Sequence, residues 1–486
     1  MKNNRRKKFL LLTFLLLLSL IVTSCGQNTP VENTAIPNST SVITNDSRSF
    51  QSGNHNPVNS LYLKNPNNLK DTRIGALVSY CIKNSANDWS DWINSLKADG
   101  FTRTRFTLNA SDGPNVVPTY ASIEKEIPVE YIALYKRMKQ IGIISRYSLT
   151  FWDLENRNNS GNINYERLNN EEEILRYLDY VDMVTTSLSG FVSEYEMWNE
   201  PDANRDFYQR IEPDDYIAVA NRVIPLIREN DPEAKIVLAS TSSYTEPECQ
   251  EYTMQILQSD LPAQADVISL HTVNNDASPV FLSDYYYGYE EMWQEIKSIA
   301  EAHGFRGEYA ADELNYRSTY SLTELQPETG LYHPYEPEVA AKYIGRMIAI
   351  NLGMDISVGT SGTNAVERPY EGKMIRNMAY LLEGWQATPI QVDITSDSDL
   401  IRYYTFADRD GNIMLAIWND AEAKVNSDTV ESTIILKGIE VENITGSDPF
   451  QGLIQKIQFE NNDDDVVISG VFVKDYPILY QINTLE

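Results

Sequence analysis

The segment FVSEYEMWNEPD, residues 191 to 202, is rich in β-forming side chains up to Trp198 and then turns polar at Asn199, Glu200, Pro201 and Asp202. It reads as a strand that delivers a carboxylate at its end. Seven further runs have the same texture: IGALVS (74–79), TRTRFTL (102–108), IISRYSLTF (143–151), KIVLAS (235–240), DVISLH (266–271), EYAADE (308–313) and DISVGT (355–360). Between them lie stretches of helical period, with Ile174, Leu178 and Val181 on one face, then Ile217, Ala220 and Ile224, and later Met292, Ile296 and Ile299.

Eight such units in this length of chain predict an α/β fold, a (β/α)₈ TIM barrel over residues 66–389. The rival is a doubly wound open sheet, but no G-x-G-x-x-G follows the first run. After Trp385 the helical period stops. LIRYYTFADRDGNIMLAIWND (400–420) reads as two strands around Asp408-Arg409-Asp410-Gly411, and STIILKG, VVISGVFV and YPILYQI continue as short strands. An all-β sandwich is expected over 390–486. The D-x-D-G lacks the distal Glu of a calcium loop and reads as a hairpin turn.

In a barrel the C-terminal strand ends build the active site. The fourth run ends at Glu200 and the seventh at Asp312-Glu313-Leu314-Asn315. A carboxylate closing an apolar strand is costly to bury, so packing does not explain either. One such Glu is an ordinary loop residue; two at the same end of one ring are a pair. Carboxyl groups facing across roughly 5 Å are the apparatus of a retaining glycosidase, one serving as acid then base and the other as nucleophile. Groups so close do not both ionise easily.

Trp198-Asn199-Glu200-Pro201-Asp202 on the fourth strand, with Glu313 on the seventh, resembles the clan A glycoside hydrolases, and most of all family 39. The resemblance implies that Glu200 is acid/base, that Asn199 binds the sugar 2-hydroxyl and that Glu313 is nucleophile. Arg105 resembles the second-strand Arg that keeps the nucleophile ionised, with Arg103 as the alternative match. His271 matches the sixth-strand His of many members; a lone His otherwise reads as a structural hydrogen bonder. Trp152, Tyr316 and Tyr320 are candidate sugar platforms, with core packing the competing reading. Two departures stand out. Val273 occupies the place where many members carry a Tyr two residues after that His, leaving either Tyr285, Tyr286 or Tyr287 to supply a phenol from the following loop or the role absent. No aromatic closes the eighth strand, Ser357 to Gly362.

The chain begins with Lys2, Arg5, Arg6, Lys7 and Lys8, followed by FLLLTFLLLLSLIV (9–22) and then Cys25. A spanning helix needs about 20 apolar residues, so this run reads as a secretion signal, residues 1–24. Its end resembles a bacterial lipobox, which implies lipidation at Cys25 and a membrane anchor. Residues 25–65, rich in Asn, Ser, Thr and Pro, are expected to be a disordered tether. The expected location is the bacterial cell envelope, facing the extracytoplasmic side. Cys81 and Cys249 are expected as two separate thiols, because the strand order puts them on opposite sides of the ring.

The net charge of −29 would repel a phosphate backbone, so no nucleic-acid partner is expected. The four His residues form no metal-ligand pattern, so no metal or other cofactor is expected in the chemistry. The competing function class is a non-catalytic carbohydrate-binding lipoprotein that kept a barrel. The presence of both Glu200 and Glu313 argues for the enzyme.

Overall fold

A computed structural model describes residues 49–78, 86–106, 127, 129–150, 167–202, 210–242, 244, 247–272, 285–314, 316, 318, 335–361, 368–462 and 465–485. After an edge strand β1 (Val58–Ser60), eight parallel strands close a barrel: β2 (Ile74–Val78), β3 (Arg103–Phe106), β4 (Ile144–Ser148), β5 (Glu194–Glu196), β6 (Lys235–Thr241), β7 (Val267–His271), β8 (Glu308–Leu314) and β9 (Ile356–Ser361). Closure comes from β2 pairing with β9, Ile74 opposite Val358. Every run expected to be a strand is one, within a few residues at each end.

The helices are α1 (Ala86–Ala98), α2 (Val129–Gln140), α3 (Glu171–Ser187), α4 (Pro213–Asn230), α5 (Pro247–Leu257), α6 (Tyr289–Ala302), α7 (Pro337–Gly353) and α8 (Pro369–Leu382). Helix α3 starts where the Asn170 side chain accepts from the Glu173 amide, with three glutamates in the first turn facing the positive helix end. Its buried face is turned from the expected one. Tyr177, Tyr180, Val181 and Val184 enter the core, while Ile174 and Leu178 are half-buried. The same holds on α6, where Tyr289, Trp293, Ile296 and Ala300 are buried and Met292 and Ile299 flank them. Large rings bury more area than the neighbouring aliphatics and take the centre of the face.

The C-terminal strands are β10 (Gln386–Ala387), β11 (Val392–Ser396), β12 (Ile401–Ala407), β13 (Ile413–Asn419), β14 (Val430–Lys437), β15 (Val441–Asp448), β16 (Leu453–Ile457), β17 (Glu460–Asn462), β18 (Asp465–Val473) and β19 (Ile478–Thr484). They form a seven-stranded sheet, β1-β16-β15-β19-β13-β12-β10, and a four-stranded sheet, β11-β14-β18-β17, of an antiparallel sandwich. The β12–β13 connection is a hairpin turn, in which Asp408 Oδ1 accepts from the amides of Asp410 and Asn412.

The tether drawn over residues 25–65 is too long at its C-terminal end. Val58–Ser60 pair with Leu453–Gln455, Phe50 is buried, and the Gln51 side-chain amide donates to Gln458 O and Ser469 O, each at 2.8 Å. An edge strand held through backbone and amide side chains needs no apolar period, which is why composition alone hides it.

Sandwich and barrel share one hydrophobic core. At their junction Asp420 accepts from Tyr286 Oη (2.5 Å) and Trp418 Nε1 (2.6 Å) and faces Arg346 and Arg402 at 3.4 and 3.1 Å. No helix among the described residues is long and apolar enough to cross a membrane. Cys25 and Cys81 lie outside the described residues; Cys249 is buried, with its Sγ 3.3 Å from Ser242 Oγ.

Candidate active site

Both glutamates stand where the backbone has been forced out of regular strand geometry. Strand β8 passes β9 with a bulge, Ala311 opposite Val358 and then Leu314 opposite Thr360, so Asp312 and Glu313 share the space beside Gly359. Glu313 has φ +55° and Glu200 +49°, the left-handed region that costs a bulky residue about 1–3 kcal/mol. Strand β6 is irregular at the same level, with Ala239 and Ser240 also at positive φ, and Ser240 O accepts the Glu200 amide at 3.0 Å. Strain of this kind persists only when the surroundings hold it.

The surroundings here are ionic. Parallel barrel strands are normally apolar on both faces, yet a cavity inside this barrel is lined by Arg105, Arg146, Glu194, Asp312 and Glu313. Arg105 donates through Nε and Nη2 to the two oxygens of Glu196 (2.6 and 2.5 Å), through Nη2 to Asn199 Oδ1 (2.5 Å) and through Nη1 to Glu313 Oε1 (2.8 Å). Arg146, beside it in register on β4, donates to Glu194 Oε2 at 2.8 Å and to Asp312. Ser269 Oγ donates to Asp312 Oδ2 at 2.6 Å. Burial pushes the carboxyls of Glu196 and Asp312 up, but the guanidiniums outweigh it and hold both below the usual carboxylate range.

His271 closes the site from β7. Its ring is fully buried, with Nδ1 at 3.1 Å from Glu200 Oε1 and 3.5 Å from Glu313 Oε1. Burial is the largest influence and favours the neutral ring; Glu313 and Glu200 together outweigh it, against Arg105, and the imidazole pKa is raised. One oxygen of Glu200, one of Glu313 and a ring nitrogen of His271 all lie within 4.8 Å of one another. Such a donor set could also hold a divalent cation. An ion there would share Glu313 with a guanidinium already 2.8 Å away, which weakens that reading.

Of the residues singled out in the sequence, Glu200, Glu313, Asn199, Arg105 and His271 come together. Arg103, the alternative to Arg105, turns to Asp71 (2.7 Å) and Glu308 (3.3 Å) instead. Tyr316 is nearly buried, with one ring face stacked on Tyr343 at 5.2 Å, which makes it a packing residue and not a sugar platform. Tyr286 and Tyr287 direct their hydroxyls to Asp420, so neither supplies a phenol to Glu313. Tyr285 has a buried hydroxyl without a hydrogen-bond partner. Trp152, Val273 and Tyr320 lie outside the described residues.

Sequence reasoning passed over Glu194, Glu196, Arg146 and Asp312. The available signal was charge at inward positions of strands otherwise built for burial, above all the alternating acids of Glu194-Tyr195-Glu196. The other half of the W-N-E-P-D motif is structural. Asp202 accepts from the Ser242 amide and hydroxyl, both at 2.8 Å, and Trp198 packs edge-on to Tyr177 with Arg167 over its ring.

No protein-family model and no curated protein matches the sequence. Among solved structures the chain is similar to a family 39 glycoside hydrolase from the gut symbiont Bacteroides cellulosilyticus, at 14% identity and TM-score 0.55, covering 86% of this chain and 82% of that one. It is also similar to a family 51 α-L-arabinofuranosidase from Bifidobacterium longum (12%, TM-score 0.53, 88% and 100% covered). A third is the catalytic domain of the family 30 xylanase C from Talaromyces cellulolyticus (12%, TM-score 0.51, 87% and 98%). These three are clan A glycoside hydrolases, family 39 among them, as the strand-end motifs suggested; at these identities the likeness establishes the fold.

Proposed function

We propose that the chain is a retaining glycoside hydrolase that cleaves O-glycosidic bonds of poly- or oligosaccharides with Glu200 and Glu313. One observation carries the reading: Glu200 and Glu313 offer carboxylate oxygens within 4.8 Å of each other at one mouth of the barrel. Retaining enzymes hold their carboxyl groups about 5–5.5 Å apart, whereas inverting enzymes leave about 6.5–9.5 Å for a water. The solved structures of the same fold named above are glycoside hydrolases, which supports the glycosidase reading.

The steps follow from the contacts. Glu313, steadied by Arg105, attacks the anomeric carbon while Glu200 gives its proton to the departing glycosidic oxygen, leaving a glycosyl ester on Glu313 and a carboxylate on Glu200. That carboxylate then takes a proton from water, whose oxygen attacks the same carbon and expels Glu313. Two inversions restore the starting configuration. Asn199, its amide oxygen taken by Arg105, has its –NH₂ to offer a sugar hydroxyl. His271 sets a ring nitrogen 3.1 Å from Glu200 Oε1 and 3.5 Å from Glu313 Oε1, where it can hold both side chains in place. Neither metal nor organic cofactor has a step to perform.

The same proposal places the enzyme on the bacterial envelope, lipidated at Cys25, carried by a tether that ends before Phe50 and facing the extracytoplasmic side. Replacing Cys25 with Ser should free the protein from membranes.

The deciding test incubates residues 49–486 with a panel of aryl glycosides and polysaccharides beside Glu313→Gln. Release that disappears in the variant supports the enzyme. Glycan binding without release, equal in both proteins, supports the carbohydrate-binding alternative. Azide should restore turnover to Glu200→Ala and yield a glycosyl azide of retained configuration.

A further inference from the structure

Resting on the assignment of Glu313 as nucleophile, we infer that Glu196 is a positioning residue of this site, acting through Arg105 on Glu313 and Asn199 at once. Glu196 sits in β5 with no solvent exposure and does not reach a substrate. Its two oxygens hold two N–H edges of Arg105, at 2.6 and 2.5 Å. A guanidinium gripped by both oxygens of one carboxylate has its plane fixed. The direction of Nη1 toward Glu313 and of Nη2 toward Asn199 is then no longer free.

Charge matters as much as direction. Arg105 faces two carboxylates at hydrogen-bond distance, and Glu196 holds two of the three contacts made to them. Glu313 therefore receives enough of the cation to be held in place without being locked into a closed pair that would blunt its attack. Arg146 does not stand in for the clamp. It is committed to Glu194 and Asp312, and its Nη1 stays 3.9 Å from Glu196. Asp312 in turn precedes Glu313 in the bulge, so Glu196 lies between the two arginines that fix both ends of the nucleophile's environment.

The experiment measures kcat and KM of Glu196→Gln, with circular dichroism to verify the fold, on a glycoside that the wild-type protein cleaves. Glutamine keeps the shape and removes the charge and one acceptor. The expected result is a kcat lower on the order of 10²-fold, since misplacement by an ångström costs about that much, with KM within a few-fold of wild type. Should that substitution prevent folding, Glu196→Asp reads the same relationship, keeping the charge but drawing the carboxylate back from Arg105 Nε and Nη2; it too should lose kcat and hold KM. A wild-type kcat in whichever of these folds overturns the inference, as does a loss confined to KM. Glu313→Gln is measured in parallel. If it is inactive while Glu196→Gln is not, only the inference fails; if Glu313→Gln keeps turnover, the proposed function fails and takes the inference with it.

Discussion

Gly359 lies so close to Asp312 that a β-carbon added to it would stand 2.4 Å from Asp312 Oδ1 and 3.2 Å from its α-carbon. Asp312 has little freedom to retreat, being tied to Arg146 and Ser269. The bulge that turns Glu313 into the barrel mouth thus depends on the absence of a side chain one strand away. Gly359→Ala should cost about 1–3 kcal/mol, the usual range for overpacking, and should lower kcat more than the stability loss explains. Thermal unfolding beside steady-state kinetics checks this; unchanged stability and kcat would contradict it.

His271 gives a pH dependence with a definite sign. Its folded-state pKa is raised, so its stabilising interaction is fully present below the ordinary imidazole pKa of about 6.5 and is lost as pH rises through the raised value. The stability gap between wild type and His271→Gln should be widest at acidic pH and shrink toward alkaline pH. Urea unfolding at several pH values measures it, and a gap that widens with pH would refute the assignment.

Asp420 joins the sandwich to the barrel, accepting from Tyr286 and Trp418 while facing Arg346 and Arg402. Removing one partner of a buried ionic cluster leaves charge uncompensated, at a cost of about 3–5 kcal/mol. Asp420→Ala should lower the unfolding midpoint accordingly. Its effect on the two domains can be followed through Trp418 and Trp293 fluorescence, using single-tryptophan backgrounds.

Residues 49–60 belong to the folded body. Losing Phe50 alone forfeits about 1.5–3 kcal/mol of side-chain burial, before the β1 pairing is counted. A protein beginning at residue 61 should unfold at lower denaturant than one beginning at 49. Equal midpoints would show the segment to be dispensable.

Much of this architecture is legible in the sequence because the barrel strands are short β-rich runs separated by helical periods, and because strand ends are where a barrel puts its chemistry. The strand-end positions of Glu200 and Glu313 are legible for that reason, whereas Arg105 and His271 stand out only through the resemblance to clan A, and the structure brings all four side chains together. Arg103 and Arg105, two residues apart on one strand, face the same way, and spacing cannot separate them; Asp71 does, by taking Arg103. Glu196 and Asp312 are not legible because a single sequence gives no sign that an inward carboxylate meets an arginine from a strand it does not pair with, as Glu196 on β5 meets Arg105 of β3 and Asp312 on β8 meets Arg146 of β4. Phe50 and β1 were hidden because their partners lie some 400 residues away in the chain.

The most direct test of the central claim is the anomeric configuration of the first product. A glycoside that the wild-type protein cleaves is hydrolysed in deuterated buffer and followed by proton NMR before mutarotation sets in. Double displacement through Glu313 predicts that the first sugar released has the same configuration as the substrate. An inverted first product would contradict the account, since it requires a water to attack directly and leaves Glu313 no covalent role.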